Sequence, residues 1–280
     1  MHKSALLRTS AVLKGLLLVF ACLSSVRSLE YYTEKPDFMQ TCRINEPEFV
    51  KCSTSSIQKL MDQLGKGIPE IMEVIGTFDP LKLKPIQFAQ DNQGAVTLHA
   101  NLTEMVATGL SKLVIKESKV SKKDYSWETK IYIPKLRLEG QYKMAGRILL
   151  IPLNGAGHMF IEIEKLNILM RTKTRLYEKG GYTFYNVTKI RMDLAPGGLK
   201  TNFENIFNGN SKEVERSTNL FFNENWRDFF EALRPLVTET VETTLLDILQ
   251  KVFHLIPANF FVEDIPTSEQ LYAKKKEKKE

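Results

Sequence analysis

Thiols, imidazoles and hydroxyls are the side chains of this 280-residue sequence that could do covalent or acid–base chemistry, and their spacing supports one reaction, a disulfide. Of the three cysteines, Cys22 lies inside an N-terminal apolar run, which leaves Cys42 and Cys52 as an even pair. In an oxidising compartment such a pair is read as a disulfide, and closing so short a loop stabilises by roughly 3 kcal/mol. His99, His158 and His254 stand singly along the chain, too scattered to complete a zinc site and with no nucleophile beside any of them by spacing. The sequence contains no Gly-x-Ser-x-Gly elbow, no His-Glu-x-x-His, no Gly-rich phosphate loop and no Cys-x-x-Cys. Asn154-Gly155-Ala156-Gly157 is glycine-rich but has no phosphate-loop lysine, and it reads as a hairpin turn. The expectation is a protein that is not an enzyme and uses no metal or cofactor.

The compartment follows from the N-terminus. Lys3, Arg8 and Lys14 precede the apolar run Gly15 to Leu23 and the small residues Ser24, Ser25 and Ser28, with no acidic residue before Glu30. This is the pattern of a secretory signal peptide over residues 1–28, and the run is too short for the ~20 residues that span a bilayer. The mature protein is therefore expected outside the cell. The sequons at Asn101 and Asn186 agree with secretion as glycosylation sites. Asn101 alternates against Val96, Leu98 and Leu102 and should face solvent. Asn186 shares its phase with Phe184, so a glycan there requires that face to point outward or the strand to bulge.

The apparent basicity is confined to the ends. Of 39 basic and 33 acidic residues, four basic ones fall in the signal segment, and five basic with two acidic in Lys274 to Glu280, so the body carries 30 against 31. That balance excludes nucleic acid as an expected partner. The segment 268–280 reads as a disordered lysine-rich tail, with weak contact to an anionic membrane surface as a second reading.

Residues 29–267 read as a single domain without a Gly/Ser or Pro-rich linker. Its principal element is a helix from Trp226 to Ile256, whose apolar residues Trp226, Phe229, Phe230, Leu233, Val237, Val241, Leu245, Ile248, Leu249, Val252 and Phe253 recur at spacings of three and four. Arg227, Asp228, Glu231, Glu239, Glu242 and Asp247 make the opposite, polar face. Pro235 predicts a kink near Glu231 to Arg234, and Pro257 ends the helix. Ser53 is the expected N-cap of an earlier helix striped by Ile57, Leu60, Met61 and Leu64, ending at Gly65 or Gly67. Between these helices, Ala95 to Phe207 alternates apolar and polar residues, broken at Ser121 to Asp124, Asn154 to Gly157, Lys179 to Gly181 and Pro196 to Gly198. Long strands joined by short turns form an antiparallel meander, and a coiled sheet with one apolar face can wrap the one long helix.

Cys42 and Cys52, Ile57 to Leu64, Gly67-Ile68-Pro69-Glu70 and Asp79-Pro80-Leu81 resemble the N-terminal half of the insect takeout-like and haemolymph juvenile-hormone-binding family. Leu220 to Trp226, Phe229, Pro235 and Phe253 to Pro257 are similar to its C-terminal part. The resemblance implies an α+β α-wrap fold, with the long helix embraced by a strongly curved antiparallel sheet around an internal hydrophobic tunnel, as in tubular lipid-binding domains. It also implies a terpenoid hormone or fatty-acyl cargo carried in haemolymph or at chemosensory tissue. The second cysteine pair of some hormone-binding members is absent here, which points to the takeout-like branch.

The residues expected to face the cargo are Phe229, Leu233, Val237, Val241, Leu245, Ile248 and Val252 on the helix, with Tyr132, Tyr142 and Thr188 as polar groups on strands. An apolar tunnel needs one or two such groups to orient its ligand. The alternative is an extracellular interaction protein with a filled core, acting through its surface or basic tail on a receptor or membrane. An esterase acting on a bound lipid is a third reading, and the sequence leaves the oligomeric state open.

Overall fold

Strands of 22 and 29 residues, several times the ordinary length, set the architecture of the computed structural model. The structure describes residues 30–90, 96–149, 151–208 and 211–276. The expected signal peptide lies outside them, as does the end of the expected tail. The unit Tyr31–Glu280 begins with α1 (Phe49–Lys66) and α2 (Pro69–Ile75). The strands are β1 (Leu81–Lys82), β2 (Ile86–Gln90), β3 (Val96–Thr108), β4 (Val114–Val120), β5 (Trp127–Ile148), β6 (Ile151–Lys179), β7 (Tyr182–Ala195) and β8 (Gly198–Phe203). The helices α3 (Lys212–Glu224), α4 (Trp226–Leu255) and α5 (Ser268–Lys276) follow.

All eight strands form one antiparallel sheet in the order β1-β3-β5-β6-β7. Within it β2 pairs with β3, β4 with β5, and β8 with β6. The sheet is open and coils around α4. Breaks of register give it curvature, because an extra residue on one strand bends it and increases its twist. Such breaks fall between Thr103 and Val106, Ile115 and Glu117, and Lys173 and Thr174. The middle of β6 has a local irregularity without a change of register. Lys165 has a positive φ of 50° and lies across from Pro134, which has no N–H to leave unpaired, between the pairs Ile133–Leu166 and Lys135–Glu164. There β6 exchanges its neighbour β8 for β7, and the inward phase of β5 changes from Ile131 and Ile133 to Leu136 and Leu138.

Two of the edge strands, β4 and β8, are capped by helix side chains instead of further strands. On β4, the Gln58 carboxamide of α1 accepts from Ile115 N–H (2.6 Å) and donates to Leu113 O (3.3 Å), while Thr54 Oγ1 accepts from Ser118 N–H (2.9 Å). On β8, Asn219 of α3 accepts from Phe203 N–H and donates to Phe203 O, both at 2.9 Å. One turn on, Asn223 does the same to Thr201 at 2.7 and 3.0 Å. Each carboxamide supplies the donor and acceptor of a missing strand, so these two edges are closed to edge-to-edge pairing.

Several expectations change in three dimensions. Asn154 to Gly157 is not a turn but the interior of β6. A Cβ on Gly155 would stand 2.3 Å from Asn205 O, and one on Gly157 2.6 Å from Glu204 O, so the glycines admit a crossing backbone. The turn that does need glycine is Gly180-Gly181, both at positive φ between β6 and β7. α1 starts at Phe49, one turn before Ser53, because Cys52 is bridged to Cys42 (Cα–Cα 5.9 Å) and the buried Ser56 hydroxyl donates to Gln40 O. α3 was not foreseen. Its signals were the Ser211 cap, which accepts from Val214 N–H, and Glu213 and Glu215 in the first turn. α4 is one continuous helix with Pro235 inside it, as expected of a single element. Residues 268–276, expected as tail, form α5, held to β6 where Leu176 N–H donates to Tyr272 Oη (2.9 Å) and Ser268 donates to the Glu178 carboxylate.

Asp79 fixes the turn after β3. Its carboxylate accepts from Gly109 N–H (3.0 Å), Ser111 N–H (2.9 Å) and the Ser111 hydroxyl. Burial pushes this carboxyl up, but the hydrogen bonds from Ser111 and Gly109 and the charge of Lys112 outweigh it and hold the group below its ordinary value. A carboxyl that titrates lower when folded contributes stability that is full above about pH 4 and lost as pH falls through the folded value. Asp79→Asn is therefore expected to lower the urea midpoint at pH 7, with the gap to the wild type narrowing at pH 3. Parallel midpoints at the two pH values would remove the ionised carboxylate from the account.

Candidate functional site

The long helix is well buried only at its ends. Phe229 and Phe230 are buried in the first turn, and Val252, Phe253 and Leu255 in the last. The first turn is packed by aromatic edges, with Phe229 4.7 Å from Phe222 and 5.8 Å from Phe221 between ring centroids. Tyr142, Met144, Met159 and Ile206 join Phe222 and Phe229 in one cluster. At the other end, Phe253 lies 5.0 Å from Trp127 and 5.6 Å from Phe261. Around them Leu60, Leu64, Ile71, Val187 and Val262 build a cluster fastened by the Cys42–Cys52 bridge.

Between these ends, from residue 231 to 251, the one buried side chain is a charged one, Glu242. Leu233, Leu236, Val237, Val241, Leu245, Leu246, Ile248 and Leu249 are all half-buried. On the sheet, Ile131, Ile168 and Leu199 are half-buried too and pack against the same cluster as Val237, Val241, Leu245, Leu246, Ile248 and Leu249. These apolar residues on the helix and the sheet are neither fully buried nor exposed.

Polar ties hold the helix along the free margin of β7. Arg234 donates to Leu194 O (2.6 Å), and Gln250 Nε2 donates to Val187 O (2.9 Å). Between them Glu242 accepts from Met192 N–H (2.8 Å) and from the Arg191 guanidinium (2.5 Å). Glu242 corrects the sequence reading, which put it on the solvent face. Its helical phase is polar, but the coiled β7 reaches around to it. On the opposite flank, Lys84, between β1 and β2, pairs with Asp247 (3.0 Å) in a largely exposed contact.

Among the expected site residues, Leu233, Val237, Val241, Leu245 and Ile248 are half-buried and Phe229 and Val252 buried; Leu233 packs against the cluster of Phe229, and the other four against that of Val252. Tyr142 is buried in the cluster at the first turn of α4. Its hydroxyl donates to Glu204 O (2.6 Å), and burial, then the carboxylates of Glu215 and Glu204, push its ionisation up. Tyr132 alternates with the inward Ile131 and Ile133, and its ring lies under the exposed Lys116 ammonium (5.2 Å) on the outer face. Thr188 is exposed and donates to Lys173 O (3.2 Å). Asn101 and Asn186 are both exposed. The phase shared by Asn186 and Phe184 is resolved by an outward face on which Tyr31 and Tyr177 cover Phe184. Sequence reasoning missed Glu242 and the inward polar residues Ser118, Thr129 and Thr172; the alternation of Trp127, Thr129 and Ile131 carried a signal for the last group.

Comparison with known proteins agrees with this arrangement. The family model described as haemolymph juvenile hormone binding protein matches residues 16–263. The circadian clock-controlled protein daywake of Drosophila yakuba is 22% identical over 233 residues, covering 81% of this chain and 87% of that protein. Its Drosophila melanogaster counterpart is 22% identical over 236 residues, with 81% and 88% covered. Among solved structures, Takeout 1 of Epiphyas postvittana superposes with a TM-score of 0.69 at 22% identity, over 81% of this chain and all of that one.

Proposed function

The chain belongs to the haemolymph juvenile hormone binding protein family, and on that premise we propose that it is a secreted carrier for one small hydrophobic molecule. The cargo is a terpenoid hormone such as juvenile hormone, or a fatty-acyl molecule, held in an internal tunnel between α4 and the sheet with no chemical step. Secretion on the N-terminal signal and glycans at the exposed Asn101 and Asn186 are parts of the same reading.

The observation that supports it most is the middle of α4. A helix that served only as a packed core would bury its central leucines and valines, and here those residues stay half-buried while the ends are sealed. The driving force is adequate without charged contacts. Burying ten methylenes at about 0.8 kcal/mol each supplies about 8 kcal/mol, the scale of micromolar affinity before ordering costs.

The test is to purify the protein from insect-cell medium and compare its mass under native and denaturing conditions, identifying what solvent extraction releases. A stoichiometric apolar molecule is the expected result. An empty protein that also refuses fluorescent fatty-acyl and terpenoid probes would sink the carrier reading.

A further inference from the structure

Three buried hydroxyls interrupt the apolar inner face of the sheet. Thr129 on β5 stands opposite Ser118 on β4 and opposite Met170 on β6. Two residues along, Trp127 stands opposite Thr172, which stands opposite Ile190 on β7. The Trp127 ring packs 5.0 Å from Phe253 of α4, so this row faces the helix, and the alternation along β5 puts Thr129 on the same side. Thr172 is the diagonal neighbour of Thr129, within roughly 8 Å. Ser118, Thr129 and Thr172 are 2%, 3% and 1% exposed.

Their hydrogen bonding is incomplete. The Ser118 and Thr129 oxygens lie 3.4 Å apart, a contact that uses one O–H and leaves the other. Thr172 Oγ1 has no partner at all. A hydroxyl kept from water without a partner lowers stability, so an unserved donor at the most buried part of the sheet calls for an acceptor.

From this we propose that Ser118, Thr129 and Thr172 form an internal subsite for the polar head of the bound molecule, and that the head is an uncharged oxygen function, an alcohol, ketone or ester. The proposal rests on the carrier reading. Both free donors ask for acceptor oxygen. The local charge argues against an anion: among the described residues Glu242 is the one buried charged side chain. Its carboxylate sits on Met192 N–H, and Met192 stands opposite Met170, in the row of Thr129. A carboxylate or phosphate head would find no buried cation there, and the nearby Arg191 guanidinium is already taken by Glu242 and largely exposed. Access from the middle of α4 runs past Ile131 and Ile168, the half-buried next row, and past Met170, whose unbranched thioether can move aside.

The experiment uses the full secreted chain and four probes of one length, 1-hexadecanol, methyl palmitate, palmitate and hexadecane, each competing against a fluorescent fatty-acyl reporter. The alcohol and the ester are expected to bind at least about tenfold tighter than hexadecane and palmitate. Thr172→Val should bring them down to the level of hexadecane without changing hexadecane itself, and Thr172→Ser, which keeps a hydroxyl, should restore the preference. Thr172→Val should melt no lower than the wild type, because the hydroxyl it removes has no partner to lose. An undiminished preference in Thr172→Val, or palmitate binding tighter than its ester, overturns the subsite and leaves the carrier standing. Failure of every probe overturns the carrier and the subsite with it.

Discussion

Placing one indole beside the middle of the long helix, by Val241→Trp or Leu245→Trp, is expected to weaken uptake of a fluorescent fatty-acyl or terpenoid probe by at least tenfold while secretion and melting temperature hold. Both residues are half-buried and pack against the same cluster as Ile131 and Ile168, so a larger side chain has room to enter without forcing the backbone apart. The room it takes is the room proposed for the cargo. Excluding two methylenes forfeits about 1.6 kcal/mol, slightly more than a factor of ten in affinity. Leu220→Trp makes the matched control, since Leu220 is 54% exposed on α3 and a bulky residue there should leave uptake unchanged. Wild-type affinity in a folded Val241→Trp or Leu245→Trp protein would take the helix out of the binding site.

The second large effect concerns Glu242, and it is on stability. Its carboxylate serves a backbone N–H that nothing else reaches among the described contacts, while its other partner, Arg191, keeps 62% of its side chain exposed. Glu242→Ala should destabilise by about 2–3 kcal/mol, the range for a hydrogen bond to a charged group whose removal strands a buried donor. At this chain length that is a fall of roughly 5–10 °C in melting temperature. Arg191→Ala should lose less, because the guanidinium it removes is largely exposed and the Glu242 carboxylate keeps its bond from Met192 N–H. Glu242→Gln keeps an acceptor for Met192 and should fall between the two. Equal losses in Glu242→Ala and Arg191→Ala would mean that the ion pair, not the backbone bond, fastens the helix to β7.

Much of the architecture was legible in the residues. The period of α4, its end at Pro257, three of the four breaks between strands and the cysteine pair are all carried by neighbours in the chain. The fourth break failed for a definable reason. Glycines at Gly155 and Gly157 look like a turn from within their own segment, and only residues 204–206, some fifty positions away, show that they are there to let another backbone pass.

The candidate site was legible to the same extent and no further. Periodicity placed Phe229, Leu233, Val237, Val241, Leu245, Ile248 and Val252 on one face of a helix, and it carried no sign that the first and last of them are buried while the five between are half-buried. Tyr132 was in phase with apolar neighbours on the wrong side of the irregularity at Pro134, where the inward face of β5 changes parity.

The sequence by itself determined the elements, the disulfide and the apolar excess, because each depends on spacing within one segment. The tertiary structure alone decided that Glu242 lies against the sheet, that carboxamides of α1 and α3 cap its edge strands β4 and β8, and that the middle of α4 is left half-buried. Those outcomes depend on register between strands and on how volumes from separate strands add up around a helix. No local pattern encodes that sum.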